Sequence, residues 1–177
     1  MIAETTLTQK IIELLTQNKV EYIIKEHAPT PTSEDSARER GESKKIGAKA
    51  LLFKIEKKFI LTILPADRQV DSKILKSLYK AKNIRMATLE ELQELTGCEK
   101  GAVPPFGLLL TPTANQEQSE IDMIIDQALF DEEYMAFNAG SLTTSIKMKT
   151  SDYKKILNPK IENFTKENNT QQPLNNN

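Results

Sequence analysis

The sequence predicts a mixed α/β fold, a mixed sheet or barrel with helices packed against it. Three observations predict this. Short β-prone runs are interspersed with short helical segments along most of the chain, each bounded by capping or turn residues. The order is not the regular strand–helix–strand repeat of a doubly wound sheet, which disfavours that architecture. A chain of 177 residues with 38% hydrophobic content suits one domain with length to bury a core.

Leu7, Ile11, Leu14 and Leu15 recur at helical spacing and Asn18 follows as a stop, which predicts an amphipathic helix over 6–18. Tyr22-Ile23-Ile24 reads as a short strand, and His27-Ala28-Pro29-Thr30-Pro31-Thr32 as a loop, because each Pro biases the residue before it away from helix. Thr32 and Asp35 have capping-box spacing and Gly41 is a stop, giving a second short helix. Residues 48–55 and 58–64 form a hairpin turning at Glu56-Lys57 and closed by Pro65. Val70, Ile74, Leu75 and Leu78 mark a third helix, and the capping box from Thr88 to Glu91 opens a fourth that Gly97 ends. Strands are expected over 107–111 and 121–125, with a polar turn from Pro112 to Glu120 between them. Further strands are expected around Tyr134–Phe137 and Ser145–Lys149; Thr150 is read as the cap of a last helix holding Tyr153, Ile156 and Leu157, which Pro159 stops. From about Glu162 the chain is rich in Asn, Gln, Thr and Lys, so the domain is read as 1–161 and 162–177 as a disordered polar tail.

Composition excludes several classes of function. Lys and Arg total 24 against 25 Asp and Glu, so bulk charge does not mark a nucleic-acid binder, and contact with RNA would need a local basic patch. The single cysteine, Cys98, permits no internal disulfide, which fits a reducing compartment. The N-terminus has neither the basic nor the apolar stretch of a signal peptide, and no apolar run approaches a membrane span, so the expected location is the cytoplasm, with no membrane partner. One His and one Cys cannot build a usual zinc site, and no Gly-rich phosphate loop of the Walker or Rossmann type is present; no metal or cofactor is expected. His27 would have to serve any Ser-His-Asp triad, but there is no G-x-S-x-G elbow to carry the serine. Cys98 follows a helix C-terminus, the wrong end of the dipole for an activated thiolate, and reads as a partly buried thiol.

The informative segment is Gly101-Ala102-Val103-Pro104-Pro105-Phe106-Gly107. Gly reaches backbone angles closed to other residues and Pro fixes φ, so the turn is stiff and has few N–H groups to present. The run Leu108-Leu109-Leu110 reads as a buried strand, and a stiff loop beside a core strand is a common place for a site. Lys49 opens an apolar strand, on the face shared by Leu51 and Phe53. It either stands at an edge with its amine in water, the commoner outcome, or lines a pocket where the ammonium could hold a carbonyl, phosphate or ribose. His27, Thr30, Thr32 and Ser33 have bland readings as turn and cap residues. Asp67 and Arg68 are read as a pair at a turn, and Phe137-Asn138-Ala139-Gly140-Ser141 as a strand end and tight turn that could form a cleft wall.

Taken in order, His27-Ala-Pro-Thr with Thr32-Ser33-Glu34, Gly47-Ala48-Lys49-Ala50-Leu51-Leu52, Leu64-Pro65-Ala66-Asp67, Leu95-Thr96-Gly97-Cys98, Gly101–Gly107 and Phe137-Asn138-Ala139-Gly140 resemble the YbaK/EbsC family. Its members are free-standing relatives of the editing domain of bacterial prolyl-tRNA synthetase. The resemblance covers roughly residues 5–157. It implies a compact α/β fold around a mixed, partly barrel-like sheet. It also implies an aminoacyl-tRNA deacylase acting in trans on a mischarged tRNA, commonly tRNA(Pro) carrying Ala, Cys, Ser, Thr or a related residue. The family's functional lysine matches Lys49, and its G-x-x-x-P loop matches Gly101 to Pro105. The substrate-binding set implied is Gly101, Ala102, Val103, Pro104, Pro105, Phe106 and Gly107, with His27, Thr32, Ser33, Asn138 and Gly140. A synthetase or elongation factor is a further candidate partner. Many relatives carry a His where this chain has Leu142, so a role for that His does not carry over, and a more apolar pocket is expected. The alternative reading is a non-catalytic module that binds an aminoacyl-tRNA end, an amino acid or a nucleotide; hydrolysis of another small ester or thioester is a third.

Overall fold

The structure, a computed structural model, describes residues 6–110 and 121–168. Helix α1 (Leu7–Gln17) has the expected boundaries: Thr6 and Gln9 form a reciprocal capping box and Asn18 closes the last turn. Strand β1 (Tyr22–Glu26) follows, then α2 (Ser33–Arg40), capped by the Thr32 hydroxyl and ended by Gly41 in the left-handed conformation. The hairpin is β2 (Ala48–Ile55) and β3 (Lys58–Pro65), paired along their full length. Val70, expected in the third helix, instead ends β4 (Arg68–Val70); Asp71 caps α3 (Ser72–Leu78). Strand β5 (Ile84–Met86) leads to α4 (Leu89–Thr96), with the expected box between Thr88 and Glu91 and Gly97 as the stop.

The strand expected over 107–111 does not form. Gly107–Leu109 is a single 3-10 turn, Leu108 is 44% exposed, and only Leu110 of the three leucines is buried. A short apolar run cannot by itself distinguish a core strand from a turn pinned to the core. The polar turn expected over 112–120 lies outside the described residues. Strand β6 (Asp122–Asp126) and strands β7 (Tyr134–Asn138) and β8 (Thr144–Lys149) appear as expected. Thr150 is not the cap of α5 (Thr150–Leu157) but its first residue; its hydroxyl donates to the carbonyls of Glu132 and Glu133, and Lys149 occupies the cap.

Two further short strands follow, β9 (Lys160–Glu162) and β10 (Thr165–Glu167). The domain boundary read at 161 therefore moves outward. Phe164 is fully buried, its N–H donates to Asp126 at 2.8 Å, and β10 pairs with β4. Arg68, expected to pair with Asp67, donates to the Thr165 hydroxyl at 2.6 Å. Residues 169–177 lie outside the described set.

The strands form three open sheets: β5-β2-β3-β6-β9, β1-β8-β7 and β10-β4. No closed barrel is present among the described residues. The five-stranded sheet is mixed, with β3, β6 and β9 parallel and the rest antiparallel. Strand alternation splits its side chains between two cores. Leu52, Leu61, Ile63 and Ile125 meet β7, β8, α1 and α5 on one face. Phe53, Ile55, Ile60 and Ile124 meet Leu75 of α3 and Phe164 on the other. Among the described residues no helix is long and apolar enough to cross a membrane.

One detail of topology positions the site. β5 pairs only with Phe53–Ile55, so it covers only the C-terminal end of β2. Just before β2, Gly47 makes an isolated parallel bridge to Ala136 of the three-stranded sheet. A gap remains where the two sheets diverge.

Candidate functional site

A cavity of about 510 Å³ fills that gap. Its volume is in the range of small-molecule sites. Gly47, the start of β2 and Ala66 form one wall, and Thr30, Pro31, Thr32, Ser33 and Ser36 at the entrance to α2 form another. Met86, Ala87, Leu89 and Leu92 make an apolar lip, Ala136–Asn138 of β7 a further side, and Lys100, Gly101 and Val103 complete the lining.

Lys49 is in this cavity, not snorkelling from an edge. Among the described residues its ammonium has one hydrogen-bond partner, the Ala66 carbonyl at 3.5 Å, the outer limit of such a contact. Burial holds its pKa below that of an ordinary lysine, and Lys44 adds to this by repulsion, while Glu34 and Asp67 oppose it. An ammonium has three donors, so most of this group's capacity is unengaged among the described residues.

The Gly101 loop is stiff because the core holds it from behind. Phe106 is fully buried, with its ring edge-on to Phe137 and Tyr153 at 5.4 Å in each case. The Tyr153 hydroxyl donates to the Pro105 carbonyl at 2.6 Å. The Ala102 N–H donates to Glu99 and its carbonyl accepts from the Gly140 N–H at 3.0 Å. Gly101 has φ +90°, and an added Cβ would lie 3.1 Å from the Pro31 carbonyl oxygen, so both its conformation and its close approach require glycine.

The expected site residues therefore separate. Lys49, Thr32, Ser33, Gly101, Val103 and Asn138 share the cavity lining. Ala102, Pro104, Pro105, Phe106 and Gly107 do not line it and anchor the loop. Gly140 is a packing position whose added Cβ would meet Leu7 at 3.0 Å. His27 lies behind the cavity, its Nε2 2.7 Å from the Ser145 hydroxyl. The Leu142 side chain lies against Gly101 and does not line the cavity.

Sequence reasoning passed over four residues. Thr30, read as a turn hydroxyl, is buried, lines the cavity and accepts from Asn138. Ser36 follows Thr32 and Ser33 at helical spacing, a signal that could have found it. Lys100, beside the stiff loop, was equally findable. Ser145 carries no local signal, since its partners are 7 and 118 residues away.

Gly101 and Val103 are the two loop residues on the lining with backbone N–H groups, and neither N–H has a partner among the described residues. An ammonium beside such N–H groups suits a carbonyl on which negative charge develops. Among the described residues no carboxylate or imidazole lines the cavity. Cys98 is buried, which raises its pKa and keeps it a thiol. Among the described residues no group of three or more His, Cys, Asp or Glu could hold a metal.

Comparison with known proteins agrees with this architecture. The Ser/Thr-tRNA deacylase ProXp-y of Escherichia coli K12, described as multifunctional, is 34% identical over 161 residues, covering 88% of this chain and 91% of that protein. The prolyl-tRNA editing protein ProX of Acetoanaerobium sticklandii is 26% identical over 151 residues, covering 84% and 89%. A crystal structure of a candidate trans-editing enzyme for prolyl tRNA synthetase superposes with a TM-score of 0.73 at 18% identity, over 93% of this chain and 99% of that one, a likeness of fold. A profile of the aminoacyl-tRNA editing domain matches residues 27–156, and the chain belongs to that family, related to the editing domain of prolyl-tRNA synthetase.

Proposed function

We propose that this protein is a trans-editing aminoacyl-tRNA deacylase that hydrolyses the ester of a tRNA(Pro) mischarged with a small amino acid such as Ala, Cys, Ser or Thr. The observation that carries this reading is Lys49: a half-buried ammonium with one long contact among the described residues, lining a cavity with Gly101 and Val103, whose N–H groups have no partner among those residues. Family membership supports the reaction class, and the names of the two curated relatives support the substrate class.

In the reaction, a water oxygen bonds to the ester carbonyl carbon and the bond from that carbon to the ribose oxygen breaks. The ribose hydroxyl leaves with a proton and the amino acid leaves as its carboxylate. Lys49 anchors the acyl-adenosine end. The N–H groups of Gly101 and Val103 receive the carbonyl oxygen as it becomes an oxyanion. With no carboxylate or imidazole on the lining among the described residues, the proton of the attacking water passes to solvent, or to the neighbouring ribose hydroxyl as that hydroxyl hands its own proton to the leaving ribose oxygen. An aminoacyl ester is activated, so positioning and oxyanion stabilisation suffice.

That no carboxylate or imidazole lines the cavity among the described residues favours a second reading, a module that binds the charged tRNA end without turnover. A panel of mischarged tRNAs, assayed with wild type and Lys49→Ala, separates the two. The deacylase reading expects turnover of at least one small-residue ester and its loss in the variant. Binding of the panel without release of any amino acid would establish the second reading instead.

A further inference from the structure

Behind the cavity runs a continuous chain of side-chain hydrogen bonds that joins distant parts of the sequence. The His27 ring places Nδ1 2.8 Å from the Ala28 carbonyl oxygen and Nε2 2.7 Å from the Ser145 hydroxyl. Ser145, buried on β8, donates to Asn138 Oδ1 at 3.1 Å. Asn138 Nδ2 donates to the Gly101 carbonyl at 2.9 Å and to the Thr30 hydroxyl at 3.3 Å, and Thr30 Oγ1 donates to the Leu142 carbonyl at 3.1 Å.

Chemistry fixes the direction of this chain as far as Asn138. The Gly101 carbonyl can only accept, and the one hydrogen of the Thr30 hydroxyl points to Leu142. The nitrogen of the Asn138 amide must therefore face both, which turns its oxygen toward Ser145. The Ser145 hydroxyl donates to that oxygen at 3.1 Å, and His27 Nε2 lies 2.7 Å from the same hydroxyl. The amide of Asn138, expected to bind substrate, is thereby engaged by the protein.

We propose that His27 and Ser145 are positioning residues that act through Asn138 to hold the Gly101 peptide, and with it the loop N–H groups, at the cavity wall. The loop has rear anchors at Pro105 and Phe106, but at Gly101 the carbonyl's partner is Asn138. The N–H of that same peptide, on Ala102, donates to Glu99 within the turn, so Asn138 supplies the hold from the body of the fold. The effect on catalysis rests on the deacylase reading; the effect on the loop does not.

The test uses His27→Phe, which keeps a ring but removes both ring nitrogens, and His27→Gln, whose amide can pair with the Ser145 hydroxyl as donor or acceptor. Ser145→Ala breaks the chain one step later without a bulky change. The first readout is the pair of backbone amide resonances of Gly101 and Val103 in the free full-length protein. We expect them to shift and broaden in His27→Phe and Ser145→Ala and to return toward wild type in His27→Gln. The second is deacylation: kcat falls on the order of 10- to 100-fold in the two chain-breaking variants with KM little changed, and His27→Gln recovers most of it. Unmoved loop resonances in both chain-breaking variants would overturn the proposal, as would a loss confined to KM. If the resonances move but wild type turns over no charged tRNA, the relay stands and the deacylase reading fails.

Discussion

Lys49→Met removes the ammonium and keeps the apolar stem, so it separates function from fold. The stability cost is small, because the ammonium's hydrogen bond to Ala66 is long, at 3.5 Å, and burial already disfavours the charge. The expected change is within about 0.5 kcal/mol, toward greater stability. Activity behaves differently. Loss of one preorganised electrostatic group that engages the reacting ester costs about 100- to 1000-fold, or roughly 3–4 kcal/mol of transition-state stabilisation. The pair of measurements is single-turnover release of amino acid from a mischarged tRNA and a thermal melt of the same sample. The pH dependence adds a sign. Because the folded-state pKa of Lys49 lies below the ordinary lysine value, the native state binds fewer protons than the unfolded chain between the two values. Stability then rises with pH across that window, while activity that requires the ammonium falls. In Lys49→Met both trends disappear. A variant that retains kcat/KM within about threefold of wild type, against the loss expected above, would refute the reasoning.

Other consequences follow from single contacts. Gly101→Ala places a Cβ 3.1 Å from the Pro31 oxygen and 3.3 Å from Leu142 Cδ2 at φ +90°, so it should cost about 1–3 kcal/mol in a denaturant titration and lower kcat on the order of 100-fold. Phe164→Ala empties a fully buried site between β4 and β6 and should cost about 3–5 kcal/mol; a loss below about 1 kcal/mol would place residues 162–168 outside the cooperative domain. Cys98, buried and with its pKa raised by that burial, should resist iodoacetamide in the native protein at neutral pH and react on unfolding, as read by intact mass.

Local chemistry made much of the fold legible. Thr6, Thr32 and Thr88 cap helices through their own hydroxyls, and Gly41 and Gly97 end them in the left-handed conformation, so those signals act within one turn of the chain. The hairpin was equally local. Where reading failed, the deciding contact was remote. Thr150 has the chemistry of a cap, but its hydroxyl bonds to Glu132 and Glu133, and Lys149 takes the cap position instead. Leu108–Leu110 looked like a strand because apolar content was all the sequence offered, whereas Phe106 and Tyr153 hold that segment as a turn. The polar composition after Glu162 hid one phenylalanine whose burial orders the residues around it.

By itself the sequence determined the helices, the central hairpin and the identity of a lysine and a glycine–proline loop as candidate chemistry. These depend on propensity, capping and backbone freedom, which act over a few residues. Tertiary structure decided which of those residues share the cavity, that Lys49 has a single long hydrogen bond among the described residues, and that the Asn138 amide bonds the loop. The physical reason is range. Burial, and hydrogen bonds such as those joining residues 27, 145, 138 and 101, exist only once two sheets have packed and left a gap between them.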